Sequence, residues 1–244
     1  MFVTGRARVL SWAAVVATAL SSTTFLLTGT ADAAPVVTLG GGSGIYVEQL
    51  DDPTTLADCT LTTIGYDHDG KLVGITAGHC GEVGARIAAE YTHSGGIGVI
   101  ANKSAGNDWS VIDFDPTRVN PTKQVAQSVI NSVGAPPNIG DMACKNGRTT
   151  GYTCGPVWET NRNWFRSQVC ANHGDSGAPV ILGDRLVGMV VAGTDFDAGP
   201  IDIQLPACTG AGDLIHAPEL STTMTMVLAD IDRHGGVGAG FHPF

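Results

Sequence analysis

The chain has 244 residues, 33 of them glycine, and its 13 Lys and Arg are outnumbered by 23 Asp and Glu, for a net charge of −10. No basic cluster occurs anywhere, which argues against nucleic acid as a partner. Six cysteines, an even number without a Cys-x-x-Cys pair, fit a disulfide framework better than a metal site.

Arg6 and Arg8 precede a mostly apolar run from Val9 to Leu27, and "TADAAP" places Ala31 and Ala33 as in a small-x-small cleavage site. This is the pattern of a secretory signal peptide over residues 1–33, with export to the extracellular space or cell envelope and no membrane span once it is removed. The roughly 210 residues left are enough for one large β domain or two small ones packed together. "GGGSG" at 40–44 lacks the Lys-Ser/Thr pair of a phosphate loop and reads as a flexible start of the mature chain.

Further on, short runs rich in Val, Ile and Thr alternate with Gly, Asn, Asp and Pro clusters, which predicts an all-β sandwich or barrel. "LTTIGY" and "KLVGITA" flank "DHDG" and form a hairpin, its Asp67, His68 and Asp69 read as a solvated turn and not as metal ligands. His79 follows directly on the second strand, in "GITAGHC"; Asp108, in "AGNDWSVIDF", directly precedes another. The proline-containing stretch 119–138 reads as a connection between two β units, followed by a second strand group at 139–191. Only the tail, from about Pro218 to Arg233, has helical spacing, stopped by the glycines at 235 and 236.

"HGDSGAP" at 173–179 then raises the question of whether Ser176 is a nucleophile. A serine hydroxyl needs a histidine to take its proton and an acid to orient that histidine, and His79 and Asp108 supply both types. "TAGHC", "NDWSVIDF" and "GDSGAP", in that order, resemble the chymotrypsin-like serine endopeptidases, most closely the secreted bacterial branch of streptogrisins and α-lytic protease. "CKNGRTTGYTCG" and the spacing in "CANHGDSG" are similar to that branch as well.

The resemblance implies two six-stranded antiparallel β-barrels and a C-terminal helix, the first barrel over 34–120 carrying His79 and Asp108, the second over 121–244 carrying Ser176. Of the fifteen pairings six cysteines allow, it implies Cys59 with Cys80, Cys144 with Cys154, and Cys170 with Cys208. It assigns Ser176 as nucleophile, His79 as general base, Asp108 as its orienting acid, and the Gly174 and Ser176 N–H groups as oxyanion hole. Around the substrate side chain it places Gln168, Val169, Val191, Ala192 and Gly193, none charged, so that an uncharged small or medium side chain is expected there. Asp195 and Asp197 in the following loop would instead favour a basic one.

Asp175 needs a cation if it is carried inside, and Lys145 or Arg148 is in the resembling region. Ala178 stands where the family usually has glycine, and Val191 where a serine normally donates to the catalytic acid. Only about 45 residues separate the cleavage site from His79, which leaves no room for a large folding pro-region. The expected function is peptide-bond hydrolysis on a peptide or protein substrate, by a monomer, without metal or other cofactor. The alternatives are a catalytically weak or inactive envelope binding protein that retains the fold, or an esterase sharing the triad chemistry.

Overall fold

The computed structural model describes residues 35–244 apart from 53, 93–94, 194–204 and 214. The 1–33 segment, with the expected signal peptide, and Asp195 and Asp197 lie outside the described residues.

The first barrel is made of β2 (Gly44–Glu48), β3 (Leu56–Thr60), β4 (Thr63–Tyr66), β5 (Leu72–Ala77), β6 (Arg86–Ala89), β7 (Gly98–Ser104) and β8 (Trp109–Phe114), with β1 (Val37–Leu39) before it. The strand order is β4-β5-β8-β7-β6-β2-β3. β3 and β4 are separated only by Leu61 and Thr62, whose N–H groups bond Ser43 and Ile75, so together they act as one bent strand that closes the ring at six. β2 and β6 alternate inward and outward as strands with one wet face do, whereas β5 is buried along its whole length. The reason is that both its faces are covered. The same is true of "WSVIDF" in β8, where Ile112 and Phe114 fill the first barrel while Trp109 and Val111 join a second cluster outside it.

The predicted hairpin forms between β4 and β5 in antiparallel register, with Gly70 at φ +76°. Its turn departs from expectation in one respect. Asp67 is buried, because its carboxylate accepts the N–H groups of Asp69, Lys71 and Gly238 and so fastens the C-terminal segment to the barrel. The glycine run at 40–42 is likewise a packed, buried turn and not a flexible leader. A side chain at Gly41 would overlap Ile130 and the Thr62 carbonyl, so only glycine lets the backbone pass there.

The connection at 119–138 holds β9 (Val119–Pro121), which pairs in parallel with β1, and the two-residue strands β10 (Gln124–Val125), β11 (Ser128–Val129) and β12 (Ser132–Val133). The second barrel follows, from β13 (Met142–Gly147), β14 (Gly151–Thr160), β15 (Trp164–Ser167), β16 (Pro179–Leu182), β17 (Arg185–Gly193) and β18 (Glu219–Thr223). Pairing runs β17-β16-β13-β14-β15-β18 and returns from β18 to β17, a closed six-stranded ring around Val157, Phe165, Val180, Val187 and Val190.

Helix α1 spans Met224–His234, shorter than the predicted helix, because residues 219–223 close the barrel as β18. Pro218 and Glu219 imitate a helix start, but Thr222 and Thr223 are β-branched and their backbone groups are taken up by strand pairing. Met224, Val227 and Ile231 form the buried face of α1 and pack with Trp109, Ile130, Leu186 and Met189, so the helix and both barrels share one core. Gly235 ends the helix by donating to the Ile231 carbonyl, as the glycine pair predicts. Among the described residues no helix is long and apolar enough to cross a membrane.

Candidate active site

His79 lies in a single 3₁₀ turn, Gly78–Cys80, directly after β5, and Asp108 directly before β8 at φ +48°. β5 and β8 are neighbours, with Ala77 opposite Trp109, so the two strand ends bring the side chains together. His79 Nδ1 is 2.9 Å from Asp108 Oδ2 and 3.1 Å from Oδ1, and the His79 backbone N–H donates to Oδ1 at 2.7 Å. The hydrogen bond from the ring to Asp108 raises the His79 pKa above the ordinary imidazole range, against partial burial and the repulsion of Lys103. Among the described residues His79 alone donates to the Asp108 carboxylate. Val191, where a serine donor was expected to be missing, lines the cleft beside His79.

Asp108 is held from behind. Its neighbours Asn107 and Trp109 both donate to Asp230 Oδ2, at 2.6 and 2.9 Å, and Asp230 is a buried acid of α1. This clamp from the helix to both flanks of Asp108 was not foreseen.

Ser176 is half-buried and lines the same cavity as His79. Its loop is folded tightly, the Asp175 N–H donating to the Asn172 carbonyl and the Ala178 N–H to the Asp175 carbonyl. Gly174 is at φ +93°, and a side chain there would collide with Thr149 and Arg148. Neither the Gly174 nor the Ser176 N–H meets an acceptor among the described residues, which leaves two adjacent donors at the serine. The first barrel grips this loop, since Thr60 donates its N–H to the Ser176 carbonyl and its hydroxyl to the Gly174 carbonyl, and Thr62 Oγ1 donates to the Gly177 carbonyl. Ala178 is fully buried, and its methyl packs in the core of the second barrel.

The three expected disulfides form. Cys59–Cys80 ties the His79 turn to β3 one residue before Thr60, so a single strand end holds both the histidine and the serine loop. Cys144–Cys154 joins a register pair of β13 and β14. Cys170–Cys208 anchors the approach to the serine loop, where Asn172 Nδ2 also donates to the Cys208 carbonyl.

Asp175 is wholly buried, and its partner is Lys145, also wholly buried, at 3.4 Å. Thr149 N–H, Thr150 N–H, Thr150 Oγ1 and Asn172 N–H supply the remaining donors. Burial pushes the Lys145 ammonium below its usual pKa while Asp175 opposes the fall. Arg148 is taken instead by Glu90 and Asp58.

The cavity beside Ser176 measures about 450 Å³ and is lined by His79, Ala171, Asn172, His173, Val190, Val191, Ala207 and Glu219. Of the residues assigned to the pocket from sequence, Val191 lines it. Val169 is fully buried in the second barrel, and Gln168 bonds Trp158 and the His216 carbonyl beside a neighbouring cavity. Ala192 and Gly193 pair with Leu220 and Glu219 across β17 and β18, their side-chain positions outside the described residues. Ala171, Asn172, His173, Val190, Ala207 and Glu219 also line the cavity and were not assigned to it from sequence, and of these Glu219 alone carries a carboxyl group. Among the described residues no group of three His, Cys, Asp or Glu side chains converges as metal ligands would.

No protein-family model matches the chain. It is 30% identical over 141 residues to the uncharacterized protein Rv1815 of Mycobacterium tuberculosis, a match covering 51% of this chain and 62% of that protein. Against Streptogrisin-C of Streptomyces griseus it is 26% identical over 132 residues, 49% of this chain and 29% of the other. In structure it is similar to the Nocardiopsis protease NAPase, with a TM-score of 0.62 at 21% identity over 80% of this chain and 96% of that one. Thermobifida fusca Protease A gives a TM-score of 0.62 at 18% identity, over 85% and 100%. The chain therefore has the chymotrypsin-like fold, two barrels and a C-terminal helix, and is similar to the bacterial serine proteases that share it.

Proposed function

We propose that the chain is an exported serine endopeptidase. Ser176 attacks the scissile carbonyl as His79 takes its proton; the imidazolium then protonates the leaving amine, and water, deprotonated by the same ring, resolves the acyl-enzyme. Asp108 holds the ring with Nδ1 protonated, leaving Nε2 as the base. The Gly174 and Ser176 N–H groups receive the charge that develops on the carbonyl oxygen. The end of β17 around Val191 pairs with an extended peptide backbone. Three disulfides suit an oxidising compartment, in keeping with the signal-like first 33 residues.

The observation that carries this reading is the convergence of the His79–Asp108 pair, Ser176 and two unengaged backbone donors on one cleft. The test is mass spectrometry of residues 34–244 after diisopropyl fluorophosphate, beside a His79→Ala control. A single adduct on Ser176 that disappears in the control is expected. No adduct on the folded, oxidised chain would refute the reading and leave a cleft that holds peptides without cutting them.

A further inference from the structure

The sequence reading makes the pocket uncharged, yet one wall of the cavity beside Ser176 is a carboxyl group. Glu219 is the first residue of β18, paired on one side with Ser167 and on the other with Gly193. It is 4% exposed, lines the cavity and makes no side-chain hydrogen bond among the described residues. Ser167, directly across the strand pair, carries a buried hydroxyl that also has no partner among the described residues. Buried carboxyls are normally paired or hydrogen-bonded, and one that is neither, at the edge of a cavity, is completed by whatever enters.

The charged groups around Glu219 identify the complement. Lys145 on β13 and Asp175 beneath the serine loop lie close enough to act on it electrostatically, but they neutralise one another as an ion pair. His79 and His173 line the same cavity, and His216 precedes the strand with its ring bonded to the Ala217 carbonyl. Glu219 is thus the acid left over. Burial, reinforced by Asp175 and opposed by Lys145, pushes its pKa up to about 8, so in the empty pocket at neutral pH it is mostly protonated. An approaching cation favours the ionised form and releases that proton. An apolar side chain would bury the carboxyl unpaired, and an acidic one would add a like charge.

We infer that Glu219 makes this pocket selective for a cationic, lysine- or arginine-type side chain, preceding the scissile bond. This rests on the peptidase reading for the cut but not for the binding, and the two are tested apart. Fluorescence of 4-aminobenzamidine, whose amidinium stays charged throughout, measures the pocket directly. Its affinity for the folded wild type should rise about tenfold or more between pH 6 and pH 9, as Glu219 ionises. In Glu219→Gln, whose fold is checked by circular dichroism, affinity should fall at least tenfold and lose that pH dependence. Peptide amides with Lys or Arg before the cleaved bond should be cut on the order of 100-fold faster than Ala or Phe equivalents.

Labelling by diisopropyl fluorophosphate together with a preference for Ala or Phe, and amidine binding indifferent to pH in the wild type, would overturn the inference and leave the peptidase standing. Amidine binding that depends on Glu219 without any labelling would support the pocket and overturn the peptidase. Failure of both would overturn both.

Discussion

Lys145→Met tests whether a buried ion pair holds the serine loop in shape. The substitution keeps the length and apolar stem of the side chain but removes the ammonium that contacts Asp175 at 3.4 Å and donates to the Gly151 carbonyl at 2.9 Å. Breaking a buried pair by deleting one partner costs roughly 3–5 kcal/mol, because the remaining charge stays dehydrated. Asp175 here keeps donors from Thr149, Thr150 and Asn172, so the lower end, about 3 kcal/mol, is expected. For a domain of this size that corresponds to a melting point lower by roughly 6–12 °C. Urea unfolding of the oxidised protein at pH 7 measures it, with Asp175→Asn and the double variant completing a cycle. A coupling of about 2 kcal/mol is expected between the two sites. A cost below about 1 kcal/mol for Lys145→Met, or simple additivity, would refute the argument that Lys145 compensates Asp175.

Four further outcomes follow from the site. Asp108→Asn should lower kcat on the order of 10⁴-fold in a peptide-amide assay while leaving the fold intact, since the imidazole loses the acceptor that fixes its tautomer. Because the pKa of His79 is raised and its protonated form cannot accept the serine proton, kcat/KM should fall as pH drops through a value above the ordinary imidazole range. A pH–rate profile centred below that range would contradict the assignment. Replacing Cys170 and Cys208 by serine together should cost about 2–4 kcal/mol in chemical unfolding. Asp230→Ala should leave two orphaned donors, destabilise by about 1–3 kcal/mol in the same assay, and lower kcat more than it raises KM.

What sequence revealed about the site was local, and what it hid was long-range. His79 and Asp108 sit at ends of apolar strands that can be read one at a time, and Ser176 sits in a turn written by its own glycines, whereas the meeting of the three was implied by the family resemblance. Glu219 could not be read in this way. In "PELSTT" it looks like an acid in the first turn of a helix, and it becomes a pocket wall because β18 closes the second barrel between β15 and β17. Asp67 misleads for the same reason, and Asp230 went unread. Each sits where a solvated acid belongs, in a polar turn and beside Arg233 on a helix, and is buried by an element distant in sequence. The choice of Lys145 over Arg148 likewise depends on strand facing. Lys145 points inward from β13, while Arg148, past the strand end, meets Glu90 and Asp58.

The clamp of Asp230 on Asn107 and Trp109 joins residues 123 and 121 positions apart along the chain. A polypeptide threaded through an exporter from its N-terminus would present His79, Asp108 and Ser176 in turn, all before the helix that steadies the acid has emerged. Fragments that stop short of that helix would carry His79, Asp108 and Ser176 and still lack the support for Asp108. On the proposed peptidase reading, the acid would stay unsupported until α1 had emerged and folded against it.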